Sequence, residues 1–186
     1  MSDDSFNYSQ CTVMVIDDSE LIQKSISRTL LVEQIQSISA LSGELGLKLA
    51  QEQSVDLILL DIHLGDMNGV QVCQQIRQLP GLDELPIIAI SGSADIDNHI
   101  NVLENGADDF ILKPFHPKVL LARVKSHLNR FVTQQKNADL QRTLQNYLSS
   151  AAVDHAKDHR SVQRLEAAIL FSDMRGFTSA SFDHGI

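Results

Sequence analysis

The sequence predicts an α/β fold built on a five-stranded parallel sheet, and three observations carry that prediction. Five short apolar runs alternate with five stretches whose apolar residues recur at helical spacing. The run from Leu57 to Leu60 is apolar without interruption, which suits a strand covered on both faces. Four of the runs end in polar residues, Asp17-Asp18, Asp61, Ser91 and Lys113, and ligand chemistry in parallel sheets gathers beyond the carboxyl ends of the strands. Strict alternation implies right-handed crossovers and helices on both faces.

Each element has a local reason. Thr12 to Ile16 is a β-branched run and reads as the first strand, ending in Asp17-Asp18-Ser19. From Glu20 to about Val32, Ile22, Ile26, Thr29 and Leu30 recur at helical spacing, with Ser19 available as cap. Ile35 to Ala40 is a weaker second strand, followed by a helix from Ser42 to about Gln53 with Leu45 and Leu49 on one side. Asp56 to Leu60 is the third strand, delivering Asp61 into a loop that ends at Asn68-Gly69. Gly69 to Leu79 places Val72, Cys73, Ile76 and Leu79 at helical intervals, and Pro80-Gly81 stops it. Ile87 to Ile90 is the fourth strand, ending at Ser91-Gly92-Ser93. The next helix, about Asp95 to Asn105, is expected to bury Ile96, Ile100 and Leu103. Phe110 to Leu112 is the fifth strand, followed by Lys113-Pro114, and a helix from about Pro117 turns Leu120, Leu121, Val124 and Leu128 inward.

Composition narrows the classes of function. The chain has 186 residues, 43% of them hydrophobic, enough for one good core with length left over. A net charge of −9 argues against a general nucleic-acid surface. Residues 1–130 hold 18 acidic and 9 basic residues whereas residues 131–186 hold six of each, so a boundary is expected near residue 131. Cys11 and Cys73 belong to no CxxC pair and read as reduced core thiols. With no apolar signal core and no run long enough to span a bilayer, a cytoplasmic protein is expected.

The polar strand ends make a chemical constellation. Three carboxylates, Asp17, Asp18 and Asp61, converge with the Ser91 hydroxyl and the Lys113 ammonium at one sheet edge. Crowded carboxylates repel unless a positive group offsets them. A hard cation such as Mg²⁺, which takes a few carboxylates and keeps water or phosphate oxygens, is the natural solution. The set suits placement of a phosphoryl group on a carboxylate.

Residues 11 to about 130 resemble the receiver domain of two-component response regulators. The match rests on Asp17-Asp18, Asp61, Ser91-Gly92, the GADDF stretch from Gly106 to Phe110, and Lys113-Pro114, in family order. The resemblance implies a flavodoxin-like fold with strand order 2-1-3-4-5 and a C-terminal helical extension. It also implies that Asp61 accepts a phosphoryl group from a histidine kinase or a histidine phosphotransfer protein. Asp18, Asp61 and the main-chain carbonyl of His63 would bind Mg²⁺, with Asp17 acting mainly through water. Lys113 and Ser91 would hold phosphoryl oxygens, and Phe110 would be the aromatic that follows Ser91 inward as a switch. In place of the proline usual four residues beyond the phosphoacceptor, this chain has Gly65. A haloacid-dehalogenase-like phosphatase would want a second Asp where His63 stands.

Beyond residue 130, Leu140, Leu144, Tyr147 and Ala151 extend the helical periodicity of Val124, Leu128 and Phe131 in a narrow stripe that suits a dimeric connector. A homodimer is expected through this connector, through the face of the fourth helix, fifth strand and fifth helix, or through both. His155 and His159 are spaced i, i+4 without a third ligand and read as a solvated face. Glu166 to Phe182 (EAAILFSDMRGFTSASF) strongly resembles the opening of a class III nucleotide cyclase catalytic domain. By that resemblance Asp173 matches one of two metal-binding aspartates. The expected organisation is a tail over 1–10, a receiver over 11–131, a helical connector over 132–165 and a truncated cyclase start over 166–186, without cyclase activity in the chain as it stands. A longer receiver-cyclase protein is expected; the alternative is a stand-alone receiver acting as an interaction module or phosphate sink.

Overall fold

The computed structural model describes residues 6–92 and 96–156. A 3-10 turn, Tyr8–Gln10, precedes β1 (Thr12–Ile16), α1 (Glu20–Leu31), β2 (Gln36–Ala40), α2 (Gly43–Glu52), β3 (Leu57–Asp61), α3 (Gly69–Gln78), β4 (Ile87–Ser91), α4 (Ile96–Glu104), β5 (Asp109–Leu112) and α5 (Pro117–Ala156). The five strands form one parallel sheet in the order β2-β1-β3-β4-β5, so the expected flavodoxin-like fold is the observed one. β3 lies in the middle, paired with β1 and β4, and all five of its residues are buried. Asp61 and Ser91 are the last residues of β3 and β4 rather than the first residues of the loops that follow.

Strand alternation sorts the core into two layers. Met14, Ile16, Ile58 and Leu60 face one side and pack with Ala50 of α2 and Val72, Cys73 and Ile76 of α3. Val13, Val15, Leu57, Leu59, Ile88 and Ile90 face the other and pack with Ile26 and Leu30 of α1 and Leu120, Val124 and Leu128 of α5. Cys11 and Cys73 are both buried and not joined in a disulfide, and burial pushes the Cys73 thiol up to about 11.

Three helices differ from the expected pattern. α2 buries Gly43, Gly46 and Ala50, while Leu45 is 39% exposed. A methyl on Gly46 would come within 2.5 Å of Ile16 Cδ1, so this helix sits on β1 through its small residues. α4 buries Val102, whereas Ile100 and Leu103 are exposed. Ser19 occupies the cap position of α1 but makes no side-chain cap hydrogen bond. α3, in contrast, begins with a reciprocal capping box between Asn68 and Gln71.

Within the stretch expected as a tail, Phe6 and Tyr8 are partly buried, while Asn7 and Gln10 are exposed. The Phe6 and Tyr8 rings lie 4.8 Å apart, and both side chains pack against the α1/α5 layer. Lys125 Nζ sits 5.0 Å from the Tyr8 ring centre and 2.7 Å from Glu33 Oε2.

The chain divides into two compact units, Met1–Gln134 and Gln135–Ile186. Phe131 is buried, and every residue from 133 to 146 is exposed. His159, the end of the expected connector, and the whole 166–186 stretch with Asp173 lie outside the described residues.

Candidate functional site

Parallel register brings the strand ends together. Ser91 is paired with Leu112, and the Lys113 N–H donates to the Ser91 carbonyl at 2.7 Å, so β5 hands Lys113 to the edge already occupied by β4. Asp17 follows β1 directly, its N–H donating to the Ala40 carbonyl. The Ile62 N–H donates to the Ile90 carbonyl, extending the β3/β4 ladder one residue past Asp61.

Within this edge, Lys113 Nζ lies 2.8 Å from Asp17 Oδ2 and 2.7 Å from Asp61 Oδ2. Both carboxylates are buried, at 0% and 5% residue exposure, so the ammonium compensates charges that water hardly reaches. Burial works against the Lys113 charge, but hydrogen bonds and attraction from Asp17 and Asp61 outweigh it and hold its pKa above the usual lysine value. The other carboxylate oxygens meet main chain: Asp17 Oδ1 accepts from the Ser19 N–H at 2.9 Å and Asp61 Oδ1 from the His63 N–H at 3.2 Å.

Asp18 is exposed, and carboxylate oxygens of Asp17, Asp18 and Asp61 all lie within 4.8 Å of one another. Three hard oxygen donors at this separation, one facing solvent, fit a small divalent cation that keeps water in its shell. A methyl on Gly65 would find only Asp18 Oδ2 within 4 Å, at 3.7 Å, so the loop leaves the mouth of the cluster open.

The structure therefore brings Asp17, Asp18, Asp61 and Lys113 together, with fully buried Ser91 on the neighbouring strand end. Phe110, three residues before Lys113 on β5, is half-buried against the core. The His63 side chain is exposed, and its backbone bridges to Asn68 across the loop.

Three positioning residues escaped the sequence reading. Gln23 is buried in α1 and its Nε2 donates to the carbonyls of Asp17 and Ala40, at 2.8 and 2.7 Å, clamping the acidic turn to the end of β2. Its signal was a polar residue in step with Ile26 and Leu30. Asp66 reaches from the β3–α3 loop to the start of α2, accepting from the Gly43 and Glu44 N–H groups at 3.0 Å each. Those backbone bonds, Glu44 first, hold its carboxyl below the usual aspartate range. Gly69 lies under Asp61: a methyl there would overlap the Asp61 carbonyl oxygen and come within 2.7 Å of Ile62 Cα. The asparagine before it marked a turn but not this close approach.

The Asp108 of the GADDF stretch is structural. Its Oδ2 accepts from the Ile87 N–H at 2.8 Å and pairs with Arg77, which also donates to the carbonyls of Gly106, Leu82 and Leu85. Asp109 is partly buried, which opposes ionisation, yet Arg123 and its neighbours hold its carboxyl below the usual range.

Comparison with known proteins agrees with this geometry. The family model of the response regulator receiver domain matches residues 13–125. A probable transcriptional regulator, ycf27, of Cyanidium caldarium is 36% identical over 134 residues, 72% of this chain and 52% of that protein. The transcriptional regulatory protein AfsQ1 of Streptomyces coelicolor is 38% identical over 119 residues, 64% of this chain and 52% of that protein. The chain thus spans about half the length of the curated relatives it matches. A CheY-like receiver domain protein from Methanospirillum hungatei superposes with a TM-score of 0.63 at 27% identity, over 67% of this chain and 98% of that one. NtrX from Brucella abortus gives 0.64 at 26% identity, over 69% of this chain and 29% of that one. With the fold, the strand-end cluster and the family model in agreement, this chain belongs to the response regulator receiver domain family.

Proposed function

We propose that Asp61 is the phosphoacceptor of this receiver and takes a phosphoryl group from the phosphohistidine of a histidine kinase or a histidine phosphotransfer protein. The observation that carries this reading is the Lys113 ammonium within 2.8 Å of two buried carboxylates, one of them Asp61. In the transfer, an Asp61 carboxylate oxygen forms the new bond to phosphorus while the phosphorus–nitrogen bond of the donor breaks, its electron pair staying on the imidazole. The His63 N–H orients the Asp61 carboxylate. Lys113 then has a phosphoryl oxygen to pair with, and the Ser91 hydroxyl donates to another.

Asp17, Asp18, Asp61 and the His63 main-chain carbonyl would hold Mg²⁺. The cation would supply charge neutralisation of the incoming phosphoryl oxygens. Movement of Ser91 and then Phe110 toward the site is the proposed switch, carried to the face of α4, β5 and α5. Exposed Ile100, Leu112 and Val119 on those elements support a homodimer there.

The output of the parent protein is proposed to be a class III nucleotide cyclase, on the strength of the Glu166 to Phe182 sequence alone. The chain itself is read as a signalling module rather than an enzyme, and its net charge of −9 supports a reading without nucleic acid as partner. No helix among the described residues is long and apolar enough to cross a membrane, which supports a cytoplasmic reading.

The test is intact mass after incubation with Mg²⁺ and acetyl phosphate, beside Asp61→Asn. One added phosphoryl in the parent, absent in the variant and without Mg²⁺, is the expected result. Equal addition to both proteins would move the phosphoacceptor elsewhere.

A further inference from the structure

We infer that Asp66 is a positioning residue of the cation site: by tying the tip of the loop after Asp61 to the first turn of α2, it fixes that loop at the mouth of the carboxylate cluster and so sets the affinity for Mg²⁺. The inference rests on the proposed reading in which Asp17, Asp18, Asp61 and the His63 carbonyl hold the cation.

The loop between β3 and α3 borders the cluster on two sides. The His63 N–H donates to Asp61 Oδ1 at 3.2 Å, and a methyl on Gly65 would come 3.7 Å from Asp18 Oδ2. The base of the loop is closed by main chain: the Gly69 N–H donates to the Ile62 carbonyl at 2.9 Å, and His63 bridges to Asn68. The tip, residues 64–67, depends on a side chain instead. Among the described residues, its hydrogen bonds to another element are the two that Asp66 accepts, from the Gly43 and Glu44 N–H groups at 3.0 Å each. Gly65, beside it, is the residue type with the most backbone freedom to lose, so an ordered tip needs a tie here. Met67 adds packing, since a methyl on Gly43 would come within 2.5 Å of its Cγ.

The anchor is itself fixed to the other half of the cluster. α2 sits on β1 through Gly46, where a methyl would come within 2.5 Å of Ile16 Cδ1, and Ile16 is the last residue before Asp17. Asp66 therefore joins the loop that follows β3 to the helix seated on the strand that delivers Asp17 and Asp18. Donors from both strands are referred to one frame before a cation arrives. Groups that hold metal ligands in place from behind change affinity by about 10- to 100-fold when removed. With Met67 and the closed base also restraining the tip, the lower end of that range applies.

Mg²⁺ titrations of the full chain, followed by amide NMR shifts, compare the parent with Asp66→Ala, Asp66→Asn and Ser42→Ala, each with its urea midpoint. Ser42 caps the same helix, its Oγ accepting from the Leu45 N–H at 3.1 Å, with no hydrogen bond to the loop among the described residues. Asp66→Ala should bind Mg²⁺ about tenfold more weakly than the parent. Asp66→Asn, which loses the charge but keeps an acceptor oxygen, should lie closer to the parent than to Asp66→Ala, and Ser42→Ala should bind as the parent does. Parental affinity in Asp66→Ala overturns the inference. So does an equal loss in Ser42→Ala, which would reduce the effect to a loosened helix end, or an equal loss in Asp66→Asn, which would reduce it to charge. A parent that binds no Mg²⁺ overturns the reading of the cluster as a cation site and this inference with it.

Discussion

The Lys113 ammonium lies 2.7 Å from Asp61 Oδ2, and the same nitrogen lies 2.8 Å from Asp17 Oδ2. One cation thus holds two buried anions, and taking it away strands both. Lys113→Met should destabilise the fold by about 3 kcal/mol in Mg²⁺-free buffer, as for other buried pairs that lose one partner. Added Mg²⁺ should recover part of that loss if the three carboxylates hold it. Urea unfolding of both proteins with and without Mg²⁺ measures the difference; equal midpoints without Mg²⁺ would show that the pair contributes nothing. The pH dependence follows from the raised Lys113 pKa. A group whose folded pKa exceeds its unfolded value contributes fully below the unfolded value, ordinarily 10.5, and loses its contribution as pH rises through the folded one. The parent should therefore lose stability above about pH 10.5, and Lys113→Met should lack that component of the alkaline limb.

Asp66 ties the loop after Asp61 to the first turn of α2 through the Gly43 and Glu44 N–H groups. Asp66→Ala should cost about 1 kcal/mol, the usual worth of a side-chain cap. Because its folded pKa is lowered, its contribution is present above the unfolded aspartate value and lost as pH falls through the folded one. Acid titration of stability, parent against Asp66→Asn, should show a smaller loss in the variant on the acid side. Identical acid limbs would remove Asp66 from the account.

Gly69→Ala places a methyl on the Asp61 carbonyl oxygen and against Ile62 Cα, and both of the atoms it meets belong to backbone. Overpacking of this kind costs about 3 kcal/mol. Its mark should be a fall in phosphoryl incorporation larger than in Gly65→Ala, where the added methyl meets only Asp18 Oδ2 at 3.7 Å. Intact mass over time, with urea midpoints for both variants, compares them.

Arg77 donates to three carbonyls, those of Gly106, Leu82 and Leu85, and to Asp108. Arg77→Lys keeps the charge but loses the planar fork, so it should be destabilised by about 2 kcal/mol, close to Arg77→Ala. Near-parental stability of the lysine variant would show that charge alone suffices.

Much of this fold and cluster was legible in the sequence because strands and site depend on large, unambiguous signals. The Leu57 to Leu60 run can only be covered on both faces, and Asp17, Asp61, Ser91 and Lys113 each mark the end of such a run. Helix faces were less legible. The reading followed Leu45, Ile100 and Leu103, whereas α2 and α4 bury Gly46, Ala50 and Val102, because a helix lying close to a sheet presents whatever is small enough to fit. Gln23, Asp66 and Arg77 act on backbone groups supplied by distant segments, so their partners became visible only once the chain was folded.

The Lys113 N–H bond to the Ser91 carbonyl, like the Asp17 bond to Ala40 and the Ile62 bond to Ile90, is main chain to main chain. The reactive groups are thus mounted on ladder bonds that no side chain supplies. Exposed helix residues such as Leu21, Leu31 and Val32 of the α1 region take no part in that mounting. The strand-end cluster and the exposed face of α1 are thus written on different parts of the chain, so surface residues such as Leu21 can change one at a time while Asp17, Asp61 and Lys113 keep their places.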